Sequence, residues 1–196
     1  MPRRTPTKLQ ELRTALDQAN AEGNDALAAE LLQVRHAVQG RTSALSLVPL
    51  LDTATSQITK SFVAEVLGAA GDERVLKPLM RAATHPANVR HTSWYLLACA
   101  RYDCSAHLAF FVRLLLTRTD ADEGMLCAME VIKAMKGPFA PATVKSAIAR
   151  LLRPKQPLLA GDKQAELIRV QAPMSCSTHI LTKSTKTGKT KCNSPY

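Results

Sequence analysis

Aromatic residues are scarce in this chain of 196 residues, which holds one Trp, three Tyr and four Phe. Glycine is sparse too, at 8, which excludes a collagen-like repeat, and five cysteines are too few and too scattered for a disulfide scaffold. Long apolar runs are missing as well. Trp94 to Ala100 stops at Arg101 and Leu108 to Val112 stops at Arg113, well short of the ~20 apolar residues that span a bilayer. The basic start Met1-Pro2-Arg3-Arg4 leads into Gln10, Glu11 and Arg13 and not into an apolar leader. A cytoplasmic setting with reduced thiols is therefore expected. An apolar share of 46% excludes a wholly disordered chain. A chain of this size buries roughly 70% of its unfolded surface, so one domain with tails needs no metal or disulfide to hold it.

Acid is missing from one end. The net charge of +10 divides into +1 for residues 1–43, +3 for 44–152 and +6 for 153–196, and no acid follows Glu166. Lys183, Lys186, Lys189 and Lys191 alternate there with Ser, Thr and Gly. Such a tail is expected to be solvated and disordered, with non-specific attraction to nucleic acid as its one candidate activity.

Helical periodicity dominates the rest. Leu9, Leu12, Leu16 and Ala19 recur at helical spacing, Glu22-Gly23-Asn24-Asp25 supplies a turn and cap, and Leu27, Leu31, Val34 and Val38 resume the period. Residues 1–43 thus read as a helical hairpin. Beyond it the chain repeats itself: Leu47-Val48-Pro49-Leu50-Leu51 returns 29 residues later as Leu76-Lys77-Pro78-Leu79-Met80. A period near 30 in an all-helical pattern means stacked helix pairs. The punctuation predicts pairs at 44–54/57–70, 74–84/88–102 and 105–118/123–136, with a further helix at 140–152. Phe62, Val66, Leu79, Leu97, Phe111, Leu115, Met129 and Ile132 form the expected buried stripes. Gly68 is expected to let adjacent helices approach closely, and Gly71 to end a helix in the left-handed conformation. After Arg153 the periodicity fades, leaving one short predicted helix at 161–171.

The stretch Glu65-Val66-Leu67-Gly68-Ala69-Ala70-Gly71-Asp72-Glu73-Arg74-Val75-Leu76-Lys77-Pro78-Leu79 resembles the junction of two HEAT repeats of the bacterial type, and Pro86 with Val89-Arg90 is similar to the turn and second-helix start of such a repeat. The likeness covers residues 44–152. It weakens in the third repeat, where Gly124-Met125-Leu126 replaces the usual Val-Arg pair. The resemblance implies an all-α fold, a right-handed α-solenoid of about three armadillo-like helix pairs, whose second helices line a concave surface for partners.

On that face the candidate partner-binding residues are Lys60, Glu65, His91, Trp94, Tyr95, Glu130 and Lys133. The helix over 88–102 is the aromatic-rich one. It carries His91, Tyr95, Cys99 and Tyr102 on one side and Trp94, Leu97 and Arg101 on another, and one of these sides must be partly open. The expected partner is another protein and the expected role that of a non-catalytic scaffold. The alternative is a DNA-binding protein akin to the HEAT-like glycosylases that remove alkylated bases, using Arg90, Arg101 and the four tail lysines. It is disfavoured because the excess charge lies in the tail and not in the repeats.

No cofactor is called for. Cys99, Cys104 and His107 lie near one another in sequence but lack the fourth ligand that structural zinc needs. Thr187-Gly188-Lys189-Thr190 ends like a phosphate loop, yet Lys183 stands where the loop's first glycine belongs. No G-x-S-x-G or H-E-x-x-H is present, so hydrolysis has no residues to carry it.

Overall fold

The computed structural model describes residues 7–117 and 123–151. Every regular element among them is helical, and no strand occurs. The lysine-rich stretch with Lys183, Lys186, Lys189 and Lys191, and the predicted helix at 161–171, lie outside the described residues. Among the described residues no helix is long and apolar enough to cross a membrane.

The chain divides into two compact units, Met1–Tyr102 and Asp103–Tyr196. The first opens with α1 (Lys8–Ala21) and α2 (Asp25–Val38). Thr7 starts α1 with a capping box, accepting the Gln10 N–H while its own N–H donates to Gln10 Oε1 at 2.7 Å. Gly23 turns the chain at φ +66°, and the Asn24 side chain accepts the Leu27 N–H at 3.1 Å to begin α2. Leu12 and Ala19 of α1 and Leu31 and Val34 of α2 are buried where the two helices pack.

The same start then recurs. Ser43, Asp72 and Asp103 each accept the backbone N–H two residues on, at 3.3, 3.0 and 3.1 Å. Ser43 and Asp72 directly precede their 3₁₀ turns (Ala44–Leu47, Glu73–Val75), whereas Asp103 stands one residue further back, with Cys104 between it and the turn Ser105–His107, and each turn passes into an α-helix. These helices are α3 (Leu50–Thr53), α5 (Leu76–Thr84) and α7 (Leu108–Thr117). A side-chain oxygen at those positions satisfies a donor that the tight turn leaves unpaired, which is why Ser or Asp stands there. In the first unit each such helix is followed by a second one: α4 (Gln57–Ala69), capped by Ser56, and α6 (Thr92–Cys99), entered through the 3₁₀ turn Pro86–His91. The helices α2, α4 and α6 pack in succession, α3 lies on α4, and α5 lies on α6. In the second unit α7 packs on α8 (Glu123–Ala134) and on α9 (Pro141–Leu151). Phe111, Leu115, Val131, Ile132 and Val144 are buried in that unit.

Several expected helices are shorter than the periodicity predicts. The stretch 44–54 is broken at Pro49 into a 3₁₀ turn and the single turn of α3, because proline supplies no N–H and constrains the residue before it. The helix expected over 88–102 is α-helical only over Thr92–Cys99. The 3₁₀ winding before it turns Asn88 inward, to a relative exposure of 1%. Of the predicted buried stripes, Leu79, Phe111, Leu115 and Ile132 are buried and Phe62, Val66 and Met129 half-buried. Leu97 is the exception, exposed at 51%.

Candidate functional site

Gly68 brings α4 and α6 into close contact, since a Cβ there would meet Ala98 Cα at 2.9 Å. Beside that contact lies a groove of about 500 Å³ lined by Ser61, Glu65, Trp94, Leu97, Ala98 and Arg101. Positions 61 and 65 are one helical turn apart on α4, and 94, 97, 98 and 101 follow the same period on and just beyond α6, so each set lies on one face. Ile58, one turn before Ser61, is 54% exposed. The Trp94 ring stacks on His91 with centroids 4.3 Å apart and planes inclined by 18°, which holds the indole in one orientation at the groove wall.

A second groove of about 370 Å³ shares Glu65 and Arg101 with the first and continues over Lys8, Ala37, Val38 and Val66. Lys8 forms ion pairs with Glu65 and, at 2.9 Å, with Glu11, and its Nζ stands 4.7 Å above the Phe62 ring. Burial pulls the Lys8 amine down, but the hydrogen bonds to Glu65 and Glu11 outweigh it and hold the amine above the ordinary lysine range.

The site residues expected from sequence separate into surface and interior. Glu65, Trp94 and Arg101 line the groove, His91 supports it, and Arg90 is exposed just before His91. Lys60 and Tyr95 do not belong to that surface. Lys60 is buried to 7% and its Nζ donates to Asn88 Oδ1 at 3.4 Å, while Asn88 Nδ2 donates to the Ala82 carbonyl at 3.0 Å. Tyr95 is wholly buried, and its hydroxyl finds no hydrogen-bond partner among the described residues. Burial, with a smaller contribution from the Asp52 charge, pushes the Tyr95 phenol up to about 12. The open side of α6 is therefore the one carrying Trp94, Leu97 and Arg101. Glu130 and Lys133 lie in the second unit, where they pair with each other across one turn of α8 at 2.8 Å.

Sequence reasoning passed over Ser61 and assigned Leu97 to the core. The available signal was the pair of small residues Gly68 and Ala98 that meet where α4 packs on α6, with Leu97 next to Ala98 in the lining of the groove.

The chemistry of the lining favours recognition. It offers an indole face, a leucine and an alanine, with one carboxylate and one guanidinium at the edge. Cys99, Cys104 and Cys127 are buried thiols. Burial and the Asp103 charge push Cys104 up to about 12, and burial followed by the charges of Glu123 and Glu130 raises Cys127. A thiol so held is a poor ligand or nucleophile, and among the described residues no three His, Cys, Asp or Glu side chains come together as a metal site. No family model, no curated protein and no solved structure matches this chain.

Proposed function

We propose that this chain is a HEAT-like helical-repeat module, an α-solenoid in architecture, that binds another protein in the cytoplasm and carries out no catalysis. The repeated Ser43, Asp72 and Asp103 starts, 29 and 31 residues apart, and the succession of α2, α4 and α6 support the repeat reading. In such repeats the second helix of each pair faces the partner, and α4 and α6 are second helices.

One observation carries the binding reading. Trp94 and Leu97, the latter 51% exposed, lie side by side over Ala98 in a groove large enough to receive side chains. Large apolar residues in a concavity are where burial by a partner yields the most binding energy. An extended nucleic-acid surface is less well supported, because the charged lining of the groove, Glu65 and Arg101, is of mixed sign and offers no row of cations to follow a phosphate backbone.

The test is selection of binding peptides from a displayed library by the full chain, followed by titration against Leu97→Glu. Trp94 is the chain's one tryptophan, so occupation of the groove is expected to shift its emission to shorter wavelength, and Leu97→Glu to weaken binding at least tenfold with an unchanged melting temperature. Absence of any selected binder, or binding indifferent to Leu97→Glu, would overturn the proposal. Salt-sensitive binding of duplex DNA in place of peptide would move the function to nucleic acid.

A further inference from the structure

The charged lining of the groove is one acid and one base, carried by different walls. Glu65 stands on α4 and Arg101 just past the end of α6, and both are exposed. Each retains unmet bonding capacity. Glu65 pairs with Lys8 through Oε2, and among the described residues neither its Oε1 nor the Arg101 guanidinium has a hydrogen-bond or ion-pair partner. The rest of the lining is largely apolar. Leu97 is 51% exposed beside Trp94 and Ala98, Ile58 is 54% exposed one turn before Ser61, and the Ser61 hydroxyl donates back to the Ile58 carbonyl of its own helix at 2.8 Å. Stacking on His91 orients the Trp94 indole before any partner arrives.

We infer that this groove pairs with the same groove of a second copy of the chain about a two-fold axis, Glu65 of each copy meeting Arg101 of the other while Trp94 and Leu97 of both are covered. The inference rests on the protein-binding reading above and names the partner. A two-fold axis lying in the contact plane, square to the line from Glu65 to Arg101, exchanges the ends of that line. An acid and a base on one patch therefore form two equivalent acid–base contacts when the patch meets itself. Any other partner has to carry the opposite arrangement independently, whereas a second copy carries it by symmetry. A guanidinium offers a carboxylate two parallel hydrogen bonds, and Arg101 has its donors available for them. Exposed apolar side chains bordered by polar ones, with an aromatic and an arginine among them, are the make-up of a contact patch. Covering them removes apolar surface from water on both copies at once.

The experiment is sedimentation velocity of the full chain over a range of concentrations, with the emission of Trp94, the chain's one tryptophan, followed on dilution. A monomer–dimer equilibrium is expected, in which the emission moves to longer wavelength as the dimer separates. Leu97→Glu is expected to weaken the association by about tenfold or more. Glu65→Arg alone and Arg101→Glu alone each set like charges against one another twice, and each is expected to weaken self-association by about tenfold or more. Mixed in equal amounts, these two variants regain both acid–base contacts, so the mixture is expected to associate about tenfold or more tightly than either variant by itself. A dimer whose Trp94 emission does not change on dilution overturns the inference on the parent chain alone, whatever the variants do. So does a mixture of variants, each shown by circular dichroism to be folded, that associates no better than its components. Should the parent stay monomeric while library-selected peptides bind through Leu97, the dimer inference falls and the module reading stands. Should it stay monomeric with no peptide bound, both fall.

Discussion

Gly68 and Ala98 set the separation of α4 and α6: a Cβ at position 68 would stand 2.9 Å from Ala98 Cα and 3.1 Å from its Cβ. The nearer obstruction is backbone, so no side-chain rotation relieves it, and one helix must move before anything larger than hydrogen fits. Ala98 also lines the groove beside Trp94 and Leu97. The contact that holds the two helices together therefore also sets how far the groove opens.

Gly68→Ala is expected to destabilise the protein by about 1–3 kcal/mol through this overpacking, against the small gain in helix propensity that alanine brings elsewhere. Urea denaturation measures it. The midpoint should fall at constant slope, and the Trp94 emission of the folded state should shift as α6 moves outward. A variant as stable as the parent would mean that the two helices separate at no cost.

Lys60 and Asn88 form a buried polar pair between α4 and the turn before α6, and Asn88 also holds the Ala82 carbonyl of α5. Removing Asn88 takes the acceptor from a buried lysine amine, although the Ala82 carbonyl keeps the His85 N–H, whereas removing the amine leaves Asn88 its bond to Ala82. Asn88→Ala is expected to lower stability by about 2–4 kcal/mol, whereas Lys60→Met, which fills the same volume without an amino group, is expected to lie within about 1.5 kcal/mol of the parent. Thermal and chemical denaturation of the two single variants and the double variant checks this. Asn88→Ala should be less harmful once Lys60 is already Met.

Much of this architecture is visible in the residues themselves. The hairpin of α1 and α2 follows from apolar spacing and from the Glu22-Gly23-Asn24 turn, and the roles of Gly68 and Gly71 follow from glycine's small size and its tolerance of positive φ, here +69° at Gly71. The open side of α6 was not legible. Both of its stripes carry an aromatic residue, and burial of Tyr95 over Trp94 is decided by how α6 packs on α5 and α4. Lys60 was equally hidden: a lysine on an amphipathic helix reads as solvated, and its interior partner Asn88 lies 28 residues further on. The shortening of the expected helices was hidden for a related reason, since 3₁₀ winding is fixed by side-chain bonds such as Thr92 Oγ1 to the Ala83 carbonyl, 3.1 Å long, and leaves no mark on the apolar period.

Tyr95 makes stability sensitive to alkali. Its phenol is held at about 12 in the folded protein, by burial first and the Asp52 charge second, against an ordinary value of 10.0. Between those values the folded state keeps a proton that the unfolded state releases. The stabilising effect is thus complete below about pH 10 and is lost as pH rises toward 12. Tyr95→Phe is expected to flatten the alkaline limb of the stability profile by on the order of 2 kcal/mol. Near neutrality it should leave stability unchanged or raise it by up to about 1 kcal/mol, because the buried hydroxyl it removes has no partner among the described residues. Denaturation curves from pH 7 to 12 would show both effects, and a Tyr95→Phe profile parallel to that of the parent would place the titrating group elsewhere.

Asp103 ties the start of the second unit to its later turn. Its carboxylate accepts the Ser105 N–H at 3.1 Å, the Ser105 hydroxyl, and the Lys136 N–H at 3.2 Å, while Ser105 Oγ in turn accepts the Gly137 N–H at 2.8 Å. Burial by itself would raise the Asp103 carboxyl, but these hydrogen bonds outweigh it and hold the group below the usual carboxylate range. A lowered folded-state value means that the unfolded chain takes up the proton first as pH falls. The contribution is full above about pH 4 and disappears as pH drops through the folded-state value. Asp103→Ala is expected to cost about 1–2 kcal/mol at neutral pH, as for a lost cap. Asp103→Asn keeps an acceptor oxygen and is expected to cost less, and its stability should decline less steeply below pH 4 than that of the parent. Acid titration of all three proteins by circular dichroism decides the matter: if the parent and Asp103→Asn lose structure along the same curve, the charge on Asp103 does not secure this turn.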